Sequence, residues 1–335
     1  MKALRRWAVW IGVPLALATL AGYGWYQLSD TGKRWRYESK LETYCGGVLP
    51  YEETVSLAGM GHERALPHDI RLDRGDHGYD WCKVAGLYVT VSRLPARVPF
   101  TDTDWEHYLP EEDAKALPIP LGGGWRGFTD LTNTAVVLPC RNRDTTLVVT
   151  AVQDYAHRPG KIAELVTATA AKAAERWDCD TTPGGPLPPI PKPLQDTLPS
   201  AAQGTCSGLP FTLEKHVTSV AEAPSSDAAP LEICVLKDEI NYRTAEEVYR
   251  LEAAFGPYAA NRHAQAPYLT EEPAGGSEED YWASARCPDD IFRAIFRIRA
   301  QTRETNNPGF AKAALIAFAK RAAQQHGCTD LKLPR

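Results

Sequence analysis

Two sets of four cysteines, written in the same order along the chain, constrain this 335-residue sequence more than any other feature. The first set is Cys45, Cys82, Cys140 and Cys179; the second is Cys206, Cys234, Cys287 and Cys328. None belongs to a C-x-x-C pair, so neither a zinc ribbon nor a thioredoxin-like motif is indicated. Scattered cysteines in even number read as disulfides in an oxidising compartment. The alternative is eight unrelated buried thiols. These eight are the candidate site residues, as bridge formers; no catalytic, cofactor-binding or metal-ligating residue is assigned.

The text around the cysteines also repeats. CGGVLP opens the first copy at Cys45, and CSGLP opens the second at Cys206. YDWCKVAGLYVTV around Cys82 and LEICVL around Cys234 are strand-like. Cys140 precedes TTLVVTAV, and Cys287 precedes IFRAIFRIRA, in which Phe292, Ala294, Phe296 and Ile298 alternate with Arg293, Arg297 and Arg299. A period of two marks a strand with one buried face. A Pro-Gly pair and an Ala-rich segment follow, and Gly160–Cys179 and Gly309–Cys328 are both 19 residues apart. At an offset of 149, Ile162, Leu165, Val166 and Ala173 match Ala311, Ala314, Leu315 and Ala322, one helical face in each copy, while Lys172 and Arg321 share an off-face position. The expected fold class is therefore α+β. Two tandem duplicated, disulfide-pinned domains, 40–180 and 205–335, would each be an antiparallel sheet with a C-terminal helix packed on it. A short helix should follow each opening cysteine, as Glu52 and Glu53 suit a first turn. Between the domains, 181–204 carries seven prolines and reads as a semi-rigid linker that keeps the two cores apart.

Four cysteines per copy allow three pairings. The strand from Thr146 to Gln153 runs out about 26 Å, and a helix from Lys161 to Asp178 returns about 27 Å. That return brings Cys179 to Cys140. The same path, Ile291 to Ala300 and then Phe310 to His326, brings Cys328 to Cys287. Cys45–Cys82 and Cys206–Cys234 follow by elimination.

After Lys2, Arg5 and Arg6, residues 7–28 hold no charged side chain. As a helix they span about 33 Å, near the thickness of a hydrocarbon core. Trp7 and Trp10 at one end, and Tyr23, Trp25 and Tyr26 at the other, suit the two interfaces. The expectation is an uncleaved transmembrane helix at 7–28, a cytoplasmic tip at 1–6 and a juxtamembrane segment at 29–39. The competing reading is a cleaved signal peptide, with Ala16, Ala18 and Ala21 as candidate cleavage residues. Leu20-Ala21-Gly22 resembles a lipobox, but Tyr23 stands where its cysteine belongs. Flanking charges nearly tie, with Lys33, Arg34 and Arg36 following the helix. The cysteines decide the orientation, placing the body outside the cytoplasm of a single-pass protein of the cell membrane. Segment 32–40 interleaves Lys33, Arg34, Arg36 and Lys40 with Trp35 and Tyr37, as an interfacial belt on anionic headgroups would.

Both soluble copies are mildly acidic: 15 basic and 21 acidic residues in 40–180, 15 and 18 in 205–335. A nucleic-acid partner is thereby excluded as a reading. His62, His68 and His77, with Glu63, Asp69, Asp73 and Asp76, fall in one Gly- and Pro-containing stretch, but their spacing matches no helical metal motif. Gly122–Gly124 lack the G-K-S/T of a phosphate loop and read as a turn. The acidic run Glu271, Glu272, Glu278, Glu279 and Asp280 lacks calcium-loop alternation and reads as a solvated loop. No G-x-S-x-G, S-x-x-K or H-E-x-x-H occurs. Outside the first copy's cluster, the second copy has only His216, His263 and His326.

The Cys-Gly-Gly-x-Leu-Pro opening, the glutamates after it and the Trp81-Cys82 pair resemble small secreted or anchored domains of uncharacterised actinobacterial envelope proteins. The second copy departs from this pattern at Ser207 and Ile233. The resemblance implies a location and a style of fold and transfers no catalytic residue. The expected function is a non-enzymatic, membrane-anchored binding or structural component with an envelope-protein partner and no cofactor. The alternatives are a metal-dependent hydrolase built on His62, His68, Asp69 and His77, or a ligand sensor using the cleft between the copies.

Overall fold

A computed structural model describes residues 2–58, 79–84, 86–95, 117–153, 159–191, 196–238, 246–277, 279–288, 290–301 and 307–335. His62, His68 and His77 and the carboxylates around them lie outside these residues. Helix α1 runs Lys2–Leu28 and α2 runs Asp30–Leu41. Among the described residues no helix is long and apolar enough to cross a membrane. The side chains of α1 are described from Val13 onward.

The first unit continues with α3 (Tyr51–Ala58), which has Glu52 and Glu53 in its first turn. Then come strands β1 (Tyr79–Val84), β2 (Leu87–Pro95), β3 (Ile119–Pro120), β4 (Gly127–Thr129), β5 (Asn133–Cys140) and β6 (Thr145–Gln153), and helix α4 (Pro159–Arg176). The second unit holds β7 (Ser219–Glu222), β8 (Leu231–Asp238), β9 (Glu246–Ala254), α5 (Pro257–Gln265), α6 (Tyr268–Glu271), β10 (Gly275–Gly276), β11 (Asp280–Arg286), β12 (Ala294–Ala300), α7 (Pro308–Gln325) and β13 (Thr329–Lys332). In place of a second short helix after Cys206 there is one 3-10 turn, Phe211–Leu213.

Both sheets are antiparallel. The first has the order β1-β2-β6-β5-β4-β3 and the second β10-β11-β12-β9-β8-β7, with β13 added beside β11. Taken from the strand that carries the second cysteine of each set, β1-β2-β6-β5-β4 corresponds to β8-β9-β12-β11-β10. The long hairpin and its following helix occupy the same place in each unit. All four disulfides join the pairs expected from the sequence: Cys45–Cys82, Cys140–Cys179, Cys206–Cys234 and Cys287–Cys328. Strand β12 starts at Ala294 rather than Ile291. Arg293 instead reaches back, donating from Nε to Ser284 Oγ (2.9 Å) and from Nη1 to Asp330 (2.8 Å).

Burial follows the strand period. On one face of the first sheet Val89, Val91, Val136, Leu138, Leu147 and Val149 pack under Ile162, Leu165, Val166 and Ala173 of α4. In the second unit Cys234, Leu236, Leu251, Ala253, Phe296 and Ile298 pack under Ala311, Ala314, Leu315 and Ala322 of α7. The alternate positions are also buried. Leu94, Phe128, Ala135, Val137 and Val148 of the first unit form one core with Ala221, Leu231, Ile233, Val235, Ala254 and Tyr258 of the second. The layers therefore run α4, first sheet, second sheet, α7. Each fully buried Val, Leu, Ile or Phe in such a layer contributes roughly 1.5–3 kcal/mol. A smaller cluster joins Trp282 of β11 and Ile295 of β12 to Ala266 and Leu269 of the α5–α6 segment.

This overturns the expectation of two separate cores held apart by a linker. The proline-rich segment is itself packed: Leu187 and Ile190 rest on the first core, and Gly185 N–H donates to Gly123 O (2.7 Å). Gly122–Gly124 form the turn expected of them, all at positive φ, and receive that segment. Farther along, Thr197 pairs with Val220 at the edge of the second sheet. The first core also begins before Lys40, since Tyr37 and Leu41 of α2 are part of it.

Candidate binding cleft between the two units

The β5–β6 turn of the first unit and the start of α5 in the second face each other across a cleft of about 120 Å³. Leu94, Arg143, Asp144, Thr145 and Thr146 form one wall; Gly256, Pro257, Ala260, Ile291 and Phe292 form the other, with Asp290 between them.

Asp290 is the best-defined polar group there, with a side chain only 3% exposed. Its position follows from a local need. Helix α5 has Gly256 at its N-cap, with φ 54° and ψ −127°, and no side chain of that residue can cap it. Asp290, 34 residues later, supplies the anion: Gly256 N–H donates to its Oδ2 at 3.1 Å. Across the unit boundary Arg126 Nη2 donates to Oδ1 at 3.3 Å. Burial raises the Asp290 carboxyl above the usual carboxylate range, and the charge of Arg126, the Gly256 N–H and nearby His326 act in the opposite direction.

Behind this wall lies a second buried acid. Glu232, 1% exposed, accepts from Arg321 Nη2 (2.9 Å) and faces His326 Nε2 (3.1 Å). The His326 ring stacks on Phe255 with centroids 3.7 Å apart. Three further acids of the second unit are similarly committed. Glu252 takes a paired contact from Arg262 at 2.6 and 2.8 Å. Glu222 accepts three backbone N–H groups, from Gln203, Gly204 and Cys206. Asp280, expected in a solvated loop, instead opens β11 and holds Arg297 and the Tyr268 hydroxyl. Sequence spacing places two of the second unit's histidines in no site, and their contacts are structural. Buried His263 lies 3.1 Å from both Thr270 Oγ1 and Arg293 O, and burial lowers its pKa. His216 lies beside Asp238 at 3.3 Å.

The eight cysteines named by the sequence are all in bridges, and no free thiolate exists for nucleophilic chemistry. Among the described residues no cluster of three His, Cys, Asp or Glu side chains is arranged to hold a metal ion. The layer between the sheets also keeps polar atoms without a hydrogen-bond partner among the described residues: Ser92 Oγ, Thr150 Oγ1, Tyr258 OH and Asn261 Oδ1. The cleft itself is lined by the hydroxyl-bearing Thr145 and Thr146, the charged Arg143 and Asp144, apolar walls and the buried, paired carboxylate of Asp290. Sequence reading missed Arg126 and Asp290 because they stand 164 residues apart with no motif around either.

No protein-family model, curated protein or solved structure matches this chain.

Proposed function

We propose that this chain is a membrane-tethered, extracytoplasmic binding protein of the cell envelope, single-pass, with its disulfide-pinned body outside the cytoplasm. One observation carries the reading. Val13, Leu15, Leu17, Leu20, Tyr23, Trp25 and Leu28 of α1 are exposed large apolar side chains, within a stretch from Trp7 to Leu28 that has no charge. Such a helix is costly in water and at home in lipid. Four disulfides in the body suit an oxidising side of the membrane. The commitment of the buried acids to arginines and backbone amides favours binding over catalysis, and an envelope protein or a small ligand of the inter-unit cleft is the expected partner. The test is fractionation of cells expressing the full chain with a C-terminal tag. Full-length protein should stay in the membrane pellet after alkaline carbonate, with all cysteines resistant to alkylation until reduced. A shortened species beginning near Thr19 or Gly22 in the medium would overturn the anchor in favour of a cleaved signal.

A further inference from the structure

We infer that the end of α1 and the whole of α2 form a rigid aromatic seat that holds the body against the lipid headgroup layer; this rests on the membrane reading above. In a continuous helix, residues ten apart lie about 15 Å from each other. Here the Trp25 and Trp35 rings meet at 5.7 Å, and the Arg36 guanidinium lies 5.1 Å from the Tyr26 ring centre. The chain therefore folds back at Ser29, and several contacts fix the fold-back. Ser29 Oγ caps α2 by accepting from Gly32 N–H at 3.0 Å. Arg36 donates to the carbonyls of Tyr26 and Gln27, the electron-rich end of α1. Gly32 admits that last turn, because a Cβ there would collide with the Tyr26 carbonyl. The opposite face of α2 is built into the first unit: Tyr37 is 3% exposed and packs edge-on against Tyr51 at 5.5 Å. The anchor thus joins the body without a flexible tether.

What faces outward is aromatic. Trp25 and Trp35 are 50% and 52% exposed. The cations expected to seek anionic headgroups are largely engaged within the chain: Lys33 with Asp30 (3.9 Å), Arg34 with Glu38 (2.8 Å) and Glu52 (3.2 Å), Arg36 with the α1 carbonyls. The partner that fits is the interfacial layer of a bilayer, reached through amphipathic indole rings, with little call on lipid charge.

The experiment uses the full chain in phosphatidylcholine vesicles, with and without phosphatidylglycerol, carrying Trp35→p-benzoyl-phenylalanine as a photo-crosslinker. Lipid adducts at position 35 in both vesicle types, with the chain retained after carbonate, are expected. Retention without adduct overturns the seat and leaves the anchor standing. Release by carbonate overturns the anchor and the seat with it. Adduct only with phosphatidylglycerol overturns the aromatic basis. Adding Gly32→Val, or separately Arg36→Met, should reduce the adduct while the disulfide pattern and thermal unfolding of the body stay unchanged. Full adduct yield in both variants overturns the clamp.

Discussion

Arg126 and Asp290 meet at 3.3 Å across the boundary between the two units, and Asp290 also caps the helix that forms the far wall of the cleft. A carboxyl raised by burial binds its proton more tightly in the folded state than in the unfolded one. The sign follows: stability increases as pH falls through the raised folded value toward the unfolded value near 3.8, and the ionised acid at neutral pH depends on its partners. Arg126→Ala should therefore cost about 1.5–3 kcal/mol at pH 7. The loss should shrink below the Asp290 titration, where the protonated acid needs no cation. Urea midpoints of the variant and parent across pH 4–8 check this, and a loss independent of pH would sink it.

Asp330 presents the opposite case. Hydrogen bonds from Lys332 and Arg293 hold its carboxyl at about 2, below its ordinary 3.8. Its contribution is present above the unfolded value and disappears as pH falls from about 4 toward 2. Asp330→Asn should flatten that acid limb of the stability profile, with the variant below the parent above about pH 4 and converging on it toward pH 2. An identical acid limb in the variant would show that these contacts do not act on the carboxyl.

Lys172 and Arg321 hold the same place on the two long helices, and both tie the helix to the segment around the opening cysteine. Lys172 Nζ donates to Leu49 O at 2.8 Å; Arg321 Nη2 donates to Thr205 O at 3.0 Å and to Glu232 at 2.9 Å. The two should differ on substitution. Lys172→Met removes one part-buried hydrogen bond, about 1 kcal/mol. Arg321→Met leaves a buried carboxylate with only His326 beside it, about 3–5 kcal/mol. Differential thermal unfolding of the two variants decides; equal losses would show that the Arg321–Glu232 contact adds nothing to the tie between helix and opening segment.

Two buried tyrosines make a further contrast. Tyr249 accepts Asn307 N–H at 2.7 Å and donates to Glu214 at 3.4 Å, and burial raises its pKa to about 12. Tyr258, raised further by complete burial, packs edge-on against Phe128 at 5.7 Å between the sheets, with no partner for its hydroxyl among the described residues. Tyr249→Phe should cost about 1 kcal/mol, and Tyr258→Phe should cost nothing or raise stability. A clear loss in Tyr258→Phe by chemical denaturation would reveal a hydrogen bond, through water or another residue, inside the inter-sheet layer.

The parts of this fold that were legible in the sequence are those held by local periodicity. The α4 and α7 faces repeat at helical spacing, and Phe296 and Ile298 alternate with arginines because one face of β12 lies under α7. The joining of the two sheets was not read, although its signal was present. TAVVLP in β5 and TLVVTAV in β6 are near-continuous apolar runs, the pattern of strands buried on both faces. Val136 and Val149 face α4 while Val137 and Val148 face the second sheet. The Arg126–Asp290 contact had no such signal. A long-range ion pair across two units has no period and no fixed spacing. The proline-rich segment misled for a related reason: extended backbone can pack as well as separate, and Leu187 and Ile190 give it apolar side chains to pack with.

The bridges that close the long helices carry the last prediction. Cys140–Cys179 spans 39 residues and Cys287–Cys328 spans 41. Each restricts the unfolded chain by about 4 kcal/mol in the loop-entropy account. Because the units share the inter-sheet core, a loss in one should be felt by both. Cys140→Ala/Cys179→Ala should lower the midpoint of a single cooperative transition, not split it into two. Two resolved transitions, with the second unit melting as in the parent, would show that the units unfold independently. Mass spectrometry of a non-reduced digest gives the companion check: only the four intra-unit pairs should appear, and a peptide linking Cys45 to Cys179 or joining the two units would refute the arrangement of sheet and helix in the first unit or between the units.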